Sequence, residues 1–256
     1  MEHAVVDVSK YQGRIDWNAV AGSGVWGAII RAGYGRETTQ KDPCFDRNFE
    51  GSKKAGLKVG VYWRSYAETE DEARQEARAC LSVLGDRISQ LDLPLYFDQE
   101  ETDVPAALRG PIFTAFAEQI RPAAQVGYYS YHEYLREIKT AGEPLPSSDV
   151  LWVADYRKNA DPRATWTCDM WQYTSKGNVP GIYYEVDLNI YYEEANTKMD
   201  YIIIGPASAG DIDTLRETAE GLGLPCTITE QQPGTAQYDE ILHRLAAAGR
   251  ALAGEV

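Results

Sequence analysis

The chain has 256 residues, a formal net charge of −14, and 44% hydrophobic and 11% aromatic residues. That length and apolar share suffice for one large α/β domain with a small module beside it, and they exclude a disordered chain. The acidic balance argues against a nucleic-acid partner, which needs clustered Lys and Arg. No apolar run nears the roughly 18 to 20 residues of a membrane span, so membrane insertion is not expected.

Short apolar segments alternate with helical patterns along the chain. Strands are predicted over 5–9, 28–31, 58–63, 93–98, 125–130, 151–155, 169–173 and 185–189, and helices over 17–21, 46–55, 71–84, 107–120 and 132–140. Several strands are apolar nearly throughout, as when both faces of a parallel sheet are buried. The connections after the sixth and seventh strands carry Pro162, Gly177, Pro180 and Gly181 but no helical period. Eight strands with five helices predict an incomplete (β/α) barrel, shorter than the eight-fold version, with an open doubly wound sheet as the alternative.

The pattern breaks near 193–199. The barrel is expected over 1–194, a linker over 195–199, and a small α/β (βαβα) domain over 200–256. Two helices, near 212–222 and 238–253, cannot cover both faces of a sheet that carries Ile202, Ile203 and Ile204. This unit is therefore expected to pair with itself, with the barrel or with another chain, a homodimer being one outcome. From Met199 onward it holds nine acids against three arginines, which excludes charge-driven adhesion to an anionic wall. Met199 directly precedes it, where an internal translation start would release it as a free chain. Cys44, Cys80, Cys168 and Cys226 form no C-x-x-C pair, so no zinc is expected and free thiols suit a reducing cytosol. The first residues lack a basic region followed by an apolar one, so no signal peptide is expected.

The apolar run 93–97 delivers two acids, Asp98 and Glu100, separated by Gln99. Residues two apart on a strand face the same way, about 6 to 7 Å apart along the backbone. Two such carboxyls repel one another and titrate at different pH. The pair suits glycoside hydrolysis, in which one carboxyl protonates the leaving oxygen and the other attacks or stabilises the sugar; a solvated acidic loop fits D-x-E alone equally well. Asp7 ends the first strand and Asp187 lies within the last, and barrel enzymes place their sites at strand ends. Plainer roles exist for both: Asp7 as a cap of the turn that follows, Asp187 as a buried partner of Arg31. Asp155 reads as a solvated strand-end acid. His3, His132 and His243 fit no metal or triad pattern, and His132 reads as a surface residue at a helix start.

The motifs run in a set order: Asp7-Val8-Ser9-Lys10-Tyr11-Gln12-Gly13, Arg31-Ala32-Gly33-Tyr34-Gly35, Gly60-Val61-Tyr62-Trp63 and Tyr96-Phe97-Asp98-Gln99-Glu100. Gly127-Tyr128-Tyr129-Ser130, Leu151-Trp152-Val153-Ala154-Asp155-Tyr156, Trp171-Gln172-Tyr173-Thr174-Ser175 and Val186-Asp187-Leu188-Asn189 follow. In this order and spacing residues 5–192 resemble glycoside hydrolase family 25, the Chalaropsis-type lysozymes or N-acetylmuramidases. The resemblance implies a (β/α)5β3 barrel that cleaves the β-1,4 bond from N-acetylmuramic acid to N-acetylglucosamine in bacterial peptidoglycan, without a cofactor. It implies Glu100 as general acid/base, poorly solvated among aromatic rings, and Asp98 either as nucleophile or as orienter of the substrate's acetamido group. Asp7 and Asp187 match further groove acids. Tyr34, Tyr62, Tyr128, Trp152 and Gln172 are expected in or near the cleft, where aromatic faces meet sugar CH surfaces. Arg31 is expected to hold the lactyl or peptide carboxylate, or else to make a structural ion pair. Trp63 departs from the family's pattern, which commonly has a second polar aromatic there. The reading suits a phage or prophage endolysin, held in the host cytoplasm until lysis and then acting on the wall; a removed leader would mark a secreted enzyme. A silent glycan-binding module and a chitinase-like glycosidase are the alternatives.

Overall fold

The computed structural model describes residues 1–157 and 162–193. The chain divides into two units, Met1–Thr197 and Lys198–Val256. The expected linker and C-terminal domain, with Met199, Cys226 and His243, lie outside the described residues.

Eight strands close into a barrel in chain order. They are β1 (Glu2–Val8), β2 (Gly27–Tyr34), β3 (Lys58–Arg64), β4 (Leu95–Asp98), β5 (Val126–Tyr131), β6 (Val150–Ala154), β7 (Met170–Gly177) and β8 (Val186–Tyr192). The described helices are α1 (Trp17–Gly22), α2 (Phe45–Lys54), α3 (Glu70–Leu84), α4 (Ala106–Ile120) and α5 (His132–Thr140). Closure removes the open doubly wound sheet as a description. Among the described residues no helix is long and apolar enough to cross a membrane.

Neighbouring strands from β1 to β7 run parallel, whereas β8 runs antiparallel to both β7 and β1. A parallel return needs a long crossover, and the loop from Gly177 to Val186 contains no helix, so the chain comes straight back. Within that loop Gly181 has φ +95, and a Cβ there would sit 2.4 Å from Asp16 O. The close pass is held by a hydrogen bond from Asp16 N–H to Gly181 O (2.9 Å).

Side chains alternate across every strand. Val6, Ile30, Val61, Phe97, Tyr128 and Val153 point outward into the helix layer, where Phe113, Phe116 and Leu135 meet them. Val5, Ile29, Tyr96, Tyr129, Trp152 and Met170 fill the barrel. Trp152 is its centre, with ring centroids 4.3 Å from Tyr129 and 5.0 Å from Tyr96. The interior below the mouth is therefore packed, not hollow, and chemistry is confined to the end where β1 to β7 finish and β8 begins.

Local caps fix the loops at that end. Ser9 accepts from Tyr11 N–H (3.3 Å), while Ser9 N–H donates to Gln12 Oε1 (2.9 Å). Gln12 Nε2 then donates to Glu185 O (3.1 Å), tying the turn after β1 to the entry of β8. Thr69 caps α3 by accepting from Glu72 N–H (3.3 Å), and Glu70, Asp71 and Glu72 complement the positive end of the helix dipole.

Candidate active site

Asp98 ends β4 and Glu100 lies two residues further, so Gln99 alone of the three faces the helix layer. Three hydrogen bonds hold Gln99 there. Its N–H donates to Tyr129 O (3.1 Å), its Oε1 accepts from the Tyr128 hydroxyl (2.8 Å), and its O accepts from Ser130 Oγ (2.7 Å). Pinning the middle residue outward aims the two flanking acids inward.

Asp7 and Asp187 are direct partners in the β1–β8 register. Asp7 is buried, and its Oδ2 accepts from Gln172 Nε2 and Asn189 Nδ2, each at 2.8 Å. Gln172 Oε1 in turn accepts from the Tyr129 hydroxyl (2.9 Å) and from that of Tyr156. Asn189 Oδ1 accepts from the Trp152 indole N–H (2.8 Å). Asp7 thus stands on an amide platform anchored in the barrel core.

The acids share one field. Burial raises Asp7 well above the usual carboxylate range and the charge of Asp187 adds to this, against the two amide hydrogen bonds. Burial lifts Asp98 likewise, Glu100 adds repulsion, and Arg64 opposes. Asp187 is pushed up to about 6, chiefly by burial and further by Glu100, against a hydrogen bond from its own backbone. Like charges held this close and away from water favour the protonated form of one another.

Arg64 ends β3 as the register partner of Asp98. Its guanidinium hydrogen-bonds Glu100 and Glu101, the latter at 2.9 Å, and lies 3.7 Å from Asp98 Oδ1. Tyr66 supports it from one side, its ring centroid 5.6 Å from the guanidinium carbon.

The remaining expected site residues divide. Tyr62 is half-buried inside the barrel, edge-on to Trp152 at 6.4 Å, and burial raises its hydroxyl well above the usual range. Tyr34 lies at the rim, edge-on to Tyr66 at 6.0 Å. Gln172 and Trp152 belong to the platform beneath the acids, not to an open wall.

Tyr128 is not in the cleft. It is buried on the outer face of β5 against Phe113 (5.2 Å between centroids), because the inward position on that strand belongs to Tyr129. Arg31 is spent on Asp42, with Nε and Nη2 each 2.7 Å from Oδ2, and Lys10 N–H binds the same oxygen at 3.0 Å. It makes the structural ion pair and meets no groove acid in a hydrogen bond. Trp63 also faces outward and donates to Gly35 O (3.0 Å). His132 is buried, since Trp166 covers it and donates its indole N–H to Nδ1 (3.1 Å). Asp155 is not a solvated end either: it is buried and bound by Arg157 (2.6 and 2.9 Å).

Sequence reasoning missed Arg64, Asn189 and Tyr129, all inward-facing at the acid end. It also gave no site role to Tyr11 and Tyr156, although both stand in its motifs, nor to Tyr66; all three are at least half exposed on the loops after β1, β3 and β6. A signal existed, since each follows its strand by two or three positions. Buried acids ringed by exposed tyrosines can hold a sugar ring by its CH face and deliver or withdraw a proton at a bridging oxygen. Among the described residues no cluster of three or more His, Cys, Asp or Glu side chains is arranged to hold a metal ion.

A family model described as Glycosyl hydrolases family 25 matches residues 6–182. An autolytic lysozyme of Clostridium acetobutylicum is 26% identical over 224 residues, covering 86% of this chain and 64% of the relative. YegX, an uncharacterized protein of Escherichia coli K12, is 31% identical over 198 residues, covering 73% of this chain and 68% of the relative. Among solved structures, the modular autolysin LytC from Streptococcus pneumoniae superposes with a TM-score of 0.63 at 27% identity, covering 75% of this chain and 47% of that one. The chain thus spans less than two thirds of the length of the autolytic lysozyme and about half of LytC.

Proposed function

The chain belongs to glycosyl hydrolases family 25, and on that premise we propose that it is a peptidoglycan hydrolase, a muramidase. It cuts the β-1,4 bond between N-acetylmuramic acid and N-acetylglucosamine with retention. The observation that carries the proposal is the convergence of Asp7, Asp98, Glu100 and Asp187 at one end of the barrel, where burial and neighbouring charge raise Asp7, Asp98 and Asp187. Glu100 is the general acid/base: it lies beyond the strand end, with its side chain 24% exposed, where a glycosidic oxygen can reach it. Asp98 lies beneath it, buried, and serves the developing charge at the anomeric carbon directly or through the substrate's acetamido group. Asp7 and Asp187 hold the shared proton inventory of the site. Tyr62 and Tyr34 inside the mouth, and Tyr11, Tyr66 and Tyr156 around it, receive the glycan.

The proposal extends to a (β/α)5β3 description of the barrel over 1–194, followed by a linker over 195–199 and a cell-wall-binding or dimerising α/β domain over 200–256. Support comes from the connections after β6 and β7, which hold no α-helix among the described residues, and from the change of sequence pattern near 193–199. An endolysin stored in the host cytoplasm until lysis accords with the thiols of Cys44 and Cys80, which form no disulfide.

Zymography on purified cell walls tests the assignment. Wild type is expected to clear the wall and to leave new muramic-acid reducing ends, and E100Q is expected to lose about 10²- to 10⁴-fold in rate. Clearing that persists in E100Q overturns the role of Glu100, and new N-acetylglucosamine ends overturn the choice of bond.

A further inference from the structure

Arg64 is an unusual neighbour for a general acid. A guanidinium bound to Glu100 requires the carboxylate, whereas protonation of a leaving group requires the acid. The pairing therefore describes a resting state, and something must release Glu100 before it can act. Three features mark Arg64 as able to change partner. Its guanidinium is shared among three acids, Glu100, Glu101 and Asp98. Its buried Nε makes no hydrogen bond, and neither does Asp98 Oδ1 beside it. Its side chain is 25% exposed, whereas the other inward guanidinium, Arg31, is 12% exposed and closed on Asp42.

The cost of release depends on what replaces Glu100. Withdrawing a partly buried guanidinium from its carboxylate with nothing in exchange leaves an unpaired charge and is unfavourable. Arg64 meets Glu100 through Nη1 alone and Glu101 through Nη2, so exchanging Glu100 for another carboxylate keeps the guanidinium paired at nearly the same energy. A muramyl unit carries such a group, on its lactyl side chain or on the peptide attached there. Arg64 is the guanidinium that lies directly against the acids of the mouth, whereas Arg31 is paired with Asp42 and Arg157 with Asp155.

We propose that Arg64 is a specificity-determining residue that exchanges Glu100 for a carboxylate on the muramyl side chain, so that an anionic substrate frees its own general acid. The inference rests on the muramidase reading. In the exchange the Arg64–Glu100 contact opens, the substrate carboxylate takes the guanidinium, and Glu100 takes one proton from a hydronium or buffer acid in the solvent, which is left as water or the buffer base; no other bond changes. Tyr66 keeps the guanidinium in reach throughout.

The test uses the full chain and three substrates: peptide-free muramyl oligosaccharide with free lactyl carboxylates, its methyl ester, and peptide-bearing glycan strands. Wild type is expected to show a kcat/KM at least tenfold higher for the free acid than for the ester, chiefly through kcat. R64Q is expected to bring that ratio near one, and R64K to restore part of it. A preference for the peptide-bearing strand over both others assigns the recognised carboxylate to the peptide. Calorimetry of the free acid and the ester on E100Q and on E100Q/R64Q reads recognition without turnover, so an inactive R64Q still decides. A wild-type ratio near one, or a preference that survives in R64Q, overturns the inference alone. Failure of wild type to cut any muramyl substrate overturns the muramidase reading itself.

Discussion

At the barrel mouth Asp187 loses water on folding and faces the charge of Glu100, and together these raise its carboxyl to about 6. A folded carboxyl raised above its unfolded value keeps its proton to higher pH, so folding takes up a proton between about pH 4 and pH 6. The protein therefore loses stability as pH rises through that window, the reverse of a salt-bridged aspartate. D187N is expected to raise stability by about 1–2 kcal/mol at pH 7.5, after allowance for solvent screening, and to change little at pH 3.5. Urea midpoints at the two pH values check this; an equal shift at both contradicts it. The placement of the four acids at strand ends was legible in the sequence from the apolar runs beside them, although spacing alone left each a plainer role and the order of the motifs singled them out. Arg64 and Asn189 were not, because an arginine after a strand reads as solvated and an asparagine inside one reads as incidental. Their importance comes from partners on other segments, Glu100 just beyond β4 and Asp7 on β1, which spacing along one segment does not reveal.

Elements carry the same lesson in their direction and their two faces. Asp187 stands near the start of its strand while Asp7 and Asp98 stand at or near the ends of theirs, and the difference is explained by β8 running against the others. The helix-free loop before β8 signalled this. The inward side of β5 was not legible, since Tyr128 and Tyr129 are equally apolar and a strand buried on both faces shows no alternation. Tyr129 took the inside because its neighbour two residues back, Gly127, leaves room for Tyr96. A Cβ on Gly127 would lie 2.2 Å from Tyr96 Cδ1, and Gly60 on β3 makes a similar gap for Ile29. Large and small residues thus alternate around the barrel to keep its floor solid. G127A is expected to destabilise by about 1–3 kcal/mol as Tyr96 is forced off its rotamer and against Trp152. A guanidinium chloride midpoint that falls with an unchanged slope verifies it; an unchanged midpoint would show that the floor has slack.

For the whole molecule the governing quantity is charge. The chain carries −14, and the proposed substrate is part of a polyanionic wall, so approach is opposed before any specific contact forms. At about 10 mM salt that repulsion reaches roughly 30 Å, and at about 150 mM it falls within roughly 8 Å, less than the width of a bound oligosaccharide. Contacts inside the cleft are screened far less, since the acids and the amide platform beneath them are buried. Raising salt across this range is therefore expected to speed clearing of dilute cell walls several-fold by easing encounter. Cleavage of the short methyl-esterified muramyl oligosaccharide, which carries no charge to be repelled, is expected to stay nearly constant. Initial clearing rates at a series of sodium chloride concentrations, read beside oligosaccharide hydrolysis in the same buffers, separate the two effects. A clearing rate that falls steadily from the lowest salt would mean that a cationic surface draws the protein to the wall and that bulk charge does not govern its approach.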